Sequence, residues 1–229
     1  PHLVDRFEIA HPHPFGDGGL LDLLRVVRGT VQPLVDAPFD SPVISLVLSG
    51  PGDAPGLPAG SEAARRVTRS GEGALVVRGV DKLTSYALIP DRRGDSTNWE
   101  WLGVEGHLPA GAAVSPGEAD QMLSEATSRA AMIIEGTAYS SLAPRSLKNP
   151  RLTVGSLSDF YDTPGLPHAV PARSAKLFAR ADRVAAIVET VQSTIGDHSL
   201  DPQLIPLWRH IRTARMVGVD YALADFARA

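Results

Sequence analysis

The stretch GALVVRGVDKLTSYALIPDRRGDSTNWEWLGVE, residues 73–105, decides the fold class of this chain. It contains three runs rich in β-branched, aliphatic or aromatic residues, at residues 73–80, 85–90 and 97–105. Such runs, bounded by glycine, proline and aspartate, are typical of β-strands. Because only short turns separate them, we expect three sequential strands in an antiparallel meander.

The third strand and the turn before it carry the candidate binding residues. Trp99 and Trp101 alternate with polar residues, so both indoles lie on one face of the predicted strand. Arg92 and Arg93 lie in the preceding turn, and arginine and tryptophan are enriched at binding hot spots. The alternative is that the tryptophans cover the sheet beneath the helices while the arginines are solvated.

The N-terminal side of the meander predicts two helices and a further strand. Leucine and valine recur at helical spacing over residues 20–31, and Pro33 is expected to end that helix or to lie just past it. Residues 41–49 read as a short buried strand between proline and glycine. Ser61 is a typical N-cap and predicts a short helix over residues 61–69.

The C-terminal half predicts three helices. Ser115 and Glu118 form the capping box of a helix over residues 115–136. Apolar residues at alternating steps of four and three predict a helix with a heptad-type seam over residues 175–195. A last helix follows, and Pro206 is expected in its first turn. These last two helices should form an antiparallel hairpin.

These elements together predict an α+β fold, with a small antiparallel sheet covered by helices and a C-terminal antiparallel helical hairpin. We expect an α+β domain over residues 1–137, an irregular connection over residues 138–172, and the hairpin over residues 173–229, packed on the first part. The seam also offers a surface for a homodimer through residues 175–229.

Composition restricts the classes of function. The chain has 229 residues, a net charge of -4 and no cysteine. An acidic chain lacks the basic surface of a nucleic-acid binder, and the absence of cysteine excludes disulfides and thiolate sites. The charged N-terminus and the lack of a long apolar run predict a cytoplasmic protein without a membrane span.

Catalytic and ligand-binding motifs are sparse. The sequence has neither GxSxG nor HExxH, and His107, with Asp95 or Glu105, is the candidate general base of a hydrolase-type enzyme. The glycine-rich turn over residues 49–60 follows a strand as a phosphate-binding turn does, although its prolines lack N–H donors. The segment HPHPFGDGG, which begins at His11, is interpreted as a loop with solvated histidines. No metal or cofactor is therefore expected.

The last helix carries Arg209, Arg212 and Arg215 at steps of three, which predicts a basic stripe along one side. Such a stripe is typical of a solvated face, and its alternative use is to meet an acidic partner helix.

The PGD…GLP segment at Pro51–Pro58, followed by a helix and the EGALVV strand, resembles an uncharacterised family of actinobacterial hypothetical proteins. This resemblance covers most of the chain and implies no activity.

The lack of a nucleophile motif, metal cluster or phosphate cradle favours a non-catalytic protein–protein interaction or scaffolding protein of the cytoplasm over an enzyme. Its expected partner is another protein or a second copy of the chain. Two alternatives remain open: a hydrolase-type enzyme with a pocket near His107, and a small-metabolite or nucleotide sensor that uses the turn at residues 49–60.

Overall fold

A computed structural model of the chain describes most of its residues and divides them into two units. The described residues are 6–7, 18–35, 42–81, 83–93, 96–109, 111, 114–141, 166–195 and 201–228. The first unit comprises residues 1–111 with residues 227–229, and the second comprises residues 112–226.

The first unit is built on a four-stranded antiparallel sheet with the order β3-β4-β5-β6. Its strands are β3 (Ile44–Val47), β4 (Ala74–Arg78), β5 (Thr84–Arg93) and β6 (Ser96–Glu105). Two further short strands, β1 (Arg6–Phe7) and β2 (Gly18–Gly19), pair with each other. The predicted antiparallel meander is therefore confirmed in β4, β5 and β6.

The turn between β4 and β5 is held by one carboxylate. Asp81 accepts hydrogen bonds of 2.7 Å from the Thr84 hydroxyl and from the backbone N–H groups of Leu83 and Thr84. These hydrogen bonds, the Thr84 hydroxyl first, lower the pKa of Asp81 because they stabilise its ionised form.

Helices cover both faces of the sheet. Helix α1 (Leu20–Val35) packs its Leu23 on the face that carries Val77, Leu88 and Trp101. Helix α2 (Glu62–Ser70) packs on the opposite face, and the Ser61 hydroxyl caps it by accepting a hydrogen bond of 3.1 Å from the backbone N–H of Ala64. The α+β class and the predicted cap are confirmed.

Helix α1 does not end where the sequence predicted. Pro33 lies inside the helix, which continues to Val35. Proline in a helix interior costs about 3 kcal/mol. The next residue, Leu34, is only 3% exposed, and burying a leucine contributes about 1.5–3 kcal/mol. The expectation that Pro33 ends this helix or lies just past it was therefore wrong, and burial of Leu34 offsets much of the local penalty.

The described residues of the second unit form three long helices, α3 (Pro116–Ser141), α4 (Ala172–Ile195) and α5 (Asp201–Phe226). Their shared core contains apolar residues from each helix, among them Leu123, Leu177, Val188, Leu207 and Ile211. The capping box is present as predicted: Glu118 accepts from the backbone N–H of Ser115 at 2.8 Å, and the Ser115 hydroxyl accepts from the backbone N–H of Glu118 at 3.3 Å.

Helices α4 and α5 form the predicted antiparallel hairpin. The Ser174 hydroxyl donates to the Gly218 carbonyl at 2.8 Å, and Arg215 donates to Asp182 at 2.7 Å. Contacts that advance along one helix while receding along the other identify an antiparallel pair. Pro206 lies inside α5, which begins at Asp201, so its predicted place in the first turn was wrong.

The division into units differs from the expected domain limits. The expected boundary at residue 137 lies inside α3, whose Leu123 belongs to the core of the helical unit. Residues 142–165 of the expected irregular connection lie outside the described residues. Among the described helices, none is both long enough and apolar enough to cross a membrane.

Candidate functional site

A groove of about 430 Å³ lies between the first turns of α3 and the N-terminal half of α4. Four cationic side chains of α4 line it, and α3 contributes Pro116, Gly117 and Asp120. The four cationic residues are Arg173, Lys176, Arg180 and Arg183, which we call the basic stripe.

The period of the helix explains why these four side chains share one groove. They are separated by steps of three, four and three residues, so they lie within one narrow arc of α4. The buried seam of α4, which includes Leu177, Ala181 and Val184, occupies the neighbouring arc and faces the core. The basic stripe therefore runs beside the buried seam, at the edge of the helical unit.

One ion pair crosses the groove. The Arg180 Nε lies 2.9 Å from the Asp120 Oδ1, and the two side chains are 45% and 38% exposed. Arg173 and Lys176 are exposed and make no ion pair with another described residue. With a single carboxylate in its lining, the described groove carries an excess of positive charge.

The first turn of α3 does not supply a free anion-binding site of its own. The hydrogen bonds from Ser115 hold the Glu118 carboxylate over this turn and lower its pKa. That carboxylate already complements the positive end of the helix dipole. The attraction for an added anion therefore comes from the side chains of α4.

The chemistry of the groove suits binding. Guanidinium and ammonium groups bind carboxylates and phosphates through charge-assisted hydrogen bonds. The described lining contains no histidine and no hydroxyl side chain.

The predicted binding residues on β5 and β6 do not form a single exposed surface among the described side chains. Trp101 is 8% exposed and stacks on Tyr86 with 5.0 Å between ring centroids, and Trp99 packs against the same cluster. Arg92 is exposed, with its Nε 3.7 Å from the Glu72 carboxylate. The side chain of Arg93 lies outside the described residues. The tryptophans thus cover the sheet beneath α1, as the alternative reading proposed.

The candidate hydrolase residues are not brought together among the described residues. His107 is exposed, follows β6 and makes no hydrogen bond with another described residue, while Asp95 lies outside the described residues. His11 and its neighbours in the HPHPFGDGG segment also lie outside them. Within the described ranges, no group of three or more His, Cys, Asp or Glu side chains could hold a metal ion.

Two backbone N–H groups of the glycine-rich turn form hydrogen bonds within the turn itself. The backbone N–H groups of Gly50 and Asp53 donate to the carbonyl of the other residue at 3.2 and 2.9 Å. These two donors are therefore not directed at an anion, as the N–H groups of a phosphate-binding turn would be.

Two of the three arginines of α5 are held within the helical unit, against the expectation of a solvated face, while Arg209 is exposed. Arg212 is buried at 7% exposure, and Arg215 pairs with Asp182 of α4. Sequence reasoning instead passed over the stripe of α4. The spacing of Arg173, Lys176 and Arg180 beside the apolar seam could have predicted it from the sequence. The sequence analysis interpreted only the apolar seam of this helix.

Two family models match the chain. One, described as Rv1486c-like protein, N-terminal domain, matches residues 1–135, and one described as Rv1486c-like protein, C-terminal domain, matches residues 117–216. The chain is also similar to "Uncharacterized protein ML1804" of Mycobacterium leprae (strain TN), with 27% identity over 236 residues, which cover 90% of this chain and 79% of that protein. No solved structure matches the chain. The resemblance to an uncharacterised actinobacterial family is confirmed.

Proposed function

We propose that this chain, which belongs to the Rv1486c-like protein family, is a non-catalytic cytoplasmic protein that binds another protein through its helical unit. The observation that carries this proposal is the basic stripe. Four cations gather in one groove of a chain whose net charge is -4. Local charge of the sign opposite to the whole chain attracts an acidic surface and orients it.

The length of the stripe supports a macromolecular partner over a small anion. Arg173 and Arg180 are seven residues apart, which corresponds to about 10 Å along a helix. A single phosphate or carboxylate group reaches one or two cations of such a row. A protein surface with several carboxylates can meet the whole row at once.

The charge of the stripe also distinguishes between the two expected partners. In a homodimer with two-fold symmetry the same patch of each copy meets at the interface. A dimer centred on the basic stripe would place Arg173 and Lys176 of one copy near the cations of the other, and like charges in an interface cost several kcal/mol. A different, acidic protein therefore fits this groove better than a second copy does.

The test compares two charge reversals of equal size in the full-length protein. Arg173→Glu combined with Lys176→Glu reverses the stripe. Arg28→Glu combined with Arg69→Glu is the matched control, since both arginines are exposed, lie in the first unit, and make no described ion pair. Each tagged variant is used to capture proteins from the cells of origin at low salt, with quantitative mass spectrometry as the readout.

We expect a stoichiometric partner that the wild type and the control retain and that the stripe variant loses. The melting temperature of each variant checks that it is folded. Equal retention by both variants, or the absence of any stoichiometric partner for the wild type, would contradict the proposal.

A further inference from the structure

We infer that the partner presents an acidic helical segment to the groove, and that Asp120 is an internal competitor for the same cation. This inference rests on the proposed function and names the chemistry of the partner. It follows from the spacing of the basic stripe and from the ion pair between Asp120 and Arg180.

The spacing selects a helix. Arg173, Lys176 and Arg180 are spaced so that they follow one side of α4. A second helix lying along the groove, with glutamates at the same spacing, can set a carboxylate opposite each cation in turn. An extended segment turns its successive side chains to opposite faces, so only alternate residues could face this row.

A role for α4 as an amphipathic membrane-binding helix fits the structure less well than binding of an acidic helix does. Such a helix buries an exposed apolar face in the lipid. In α4 the apolar residues beside the stripe, such as Leu177 at 2% exposure, are already packed in the core of the helical unit. These buried side chains are therefore not available to enter a bilayer.

The pair of Asp120 and Arg180 resembles the contact that a partner carboxylate would make. Its distance of 2.9 Å is that of a charge-assisted hydrogen bond, and the Arg180 and Asp120 side chains remain 45% and 38% exposed. Exposed pairs of this kind contribute only about 0.2–1 kcal/mol. A carboxylate from the partner can therefore replace Asp120 on Arg180 at little cost, and Asp120 lowers the affinity of the groove for that partner.

The experiment uses the full-length protein and two synthetic helical peptides of identical composition. One peptide carries glutamates at the spacing of the basic stripe, and the other has them spread around the helix. Fluorescence anisotropy measures the Kd of each peptide for the wild type, for Asp120→Asn and for Glu125→Gln. Glu125 is the matched control because it removes the same charge from α3 but lies outside the groove lining and pairs with Gln121.

We expect the matched peptide to bind more tightly than the spread one, and to lose binding to Arg173→Glu combined with Lys176→Glu. Asp120→Asn should tighten binding about 1.4- to fivefold, the range set by an exposed ion pair, while Glu125→Gln should not. Equal binding of both peptides, or equal effects of Asp120→Asn and Glu125→Gln, would overturn the inference.

Two further probes separate other polyanions from the helix. Tighter binding of a single-stranded oligonucleotide, or of vesicles of phosphatidylglycerol and phosphatidylcholine, would also overturn it. If neither peptide binds while the cellular partner still depends on Arg173 and Lys176, the inference fails and the proposed function stands. If that dependence is absent, the proposed function itself fails.

Discussion

Helices α4 and α5 are in close contact at Gly218. Packing at this contact decides whether Gly218→Ala raises or lowers the free energy of unfolding. Gly218 is buried in α5, and a Cβ atom built on it would lie 2.9 Å from Cζ and 3.0 Å from Cδ1 of Phe178 in α4, with Cε1 closer still. Real Cβ atoms essentially never approach other carbons to less than 3.0 Å. Gly218→Ala therefore forces the ring or the two helices to move apart.

Two opposing terms set the magnitude. Overpacking of this kind costs about 1–3 kcal/mol. Alanine is more favourable than glycine in a helix by about 1 kcal/mol, which offsets part of that cost. We therefore expect Gly218→Ala to lower the free energy of unfolding by about 1 kcal/mol, or Tm by about 2–4 °C.

Gly29 provides the matched control because it is an exposed glycine inside α1 with no heavy atom within 4 Å of a built Cβ. Gly29→Ala should stabilise the protein by about 0.5–1 kcal/mol. Urea unfolding followed by far-UV circular dichroism compares the two variants. Phe178→Leu removes part of the ring, so the cost of Gly218→Ala should be smaller in that background. Equal stabilisation by the two alanines would refute the packing argument.

Three further predictions address a cap, a core and a titrating group. Ser61→Ala should destabilise the first unit by about 1 kcal/mol in urea unfolding, because the backbone N–H of Ala64 loses its acceptor, and Ser61→Asp should restore most of it. Leu123→Ala, at a side chain with 0% exposure, should cost about 2–5 kcal/mol, and a smaller loss than the cap variant would contradict the described core. Burial raises the pKa of Asp220, whose Oδ1 accepts no hydrogen bond within the described part of the chain, so its ionisation penalises the folded state above the ordinary carboxyl pKa of about 3.9. Asp220→Asn should therefore raise Tm at neutral pH, with a gain that shrinks as the pH falls through the raised pKa and is lost near the ordinary carboxyl pKa, and a gain independent of pH would count against this cause.

The parts of the fold that the sequence predicted are those fixed by local interactions. The capping box of Ser115 and Glu118 needs only residues within one turn, and it forms as expected. The turn that joins β4 to β5 is stabilised by its own residue Asp81, and both strands form as expected. Signals of this kind do not depend on which other elements pack nearby.

The predictions that failed depend on distant contacts. Pro33 and Pro206 are helix breakers in isolation, yet burial of Leu34 and Leu207 beside them keeps both helices continuous. Arg215 was expected to be solvated, but it pairs with Asp182, which lies on another helix and 33 residues away in the sequence. A pattern within one helix does not show such a partner. Tertiary packing overrides local propensity at each of these positions.

The candidate groove could be predicted only in part for the same reason. The spacing of the basic stripe is a property of α4 alone and is visible in the sequence. Its role depends on Asp120 and Gly117, which α3 brings to the opposite side of the groove. The sequence does not show which turn of α3 lies beside Arg173 and Arg180.

The order of the strands bears on how the protein is made. Strands that are neighbours in the sheet follow one another along the chain, from β3 to β6, and all four are complete by Glu105. Pairings between sequential strands close short loops, and short loops favour rapid folding. A ribosome translating this chain therefore synthesises every strand of the sheet before it begins α3, so pairing of the strands requires no residue from the long helices of the second unit.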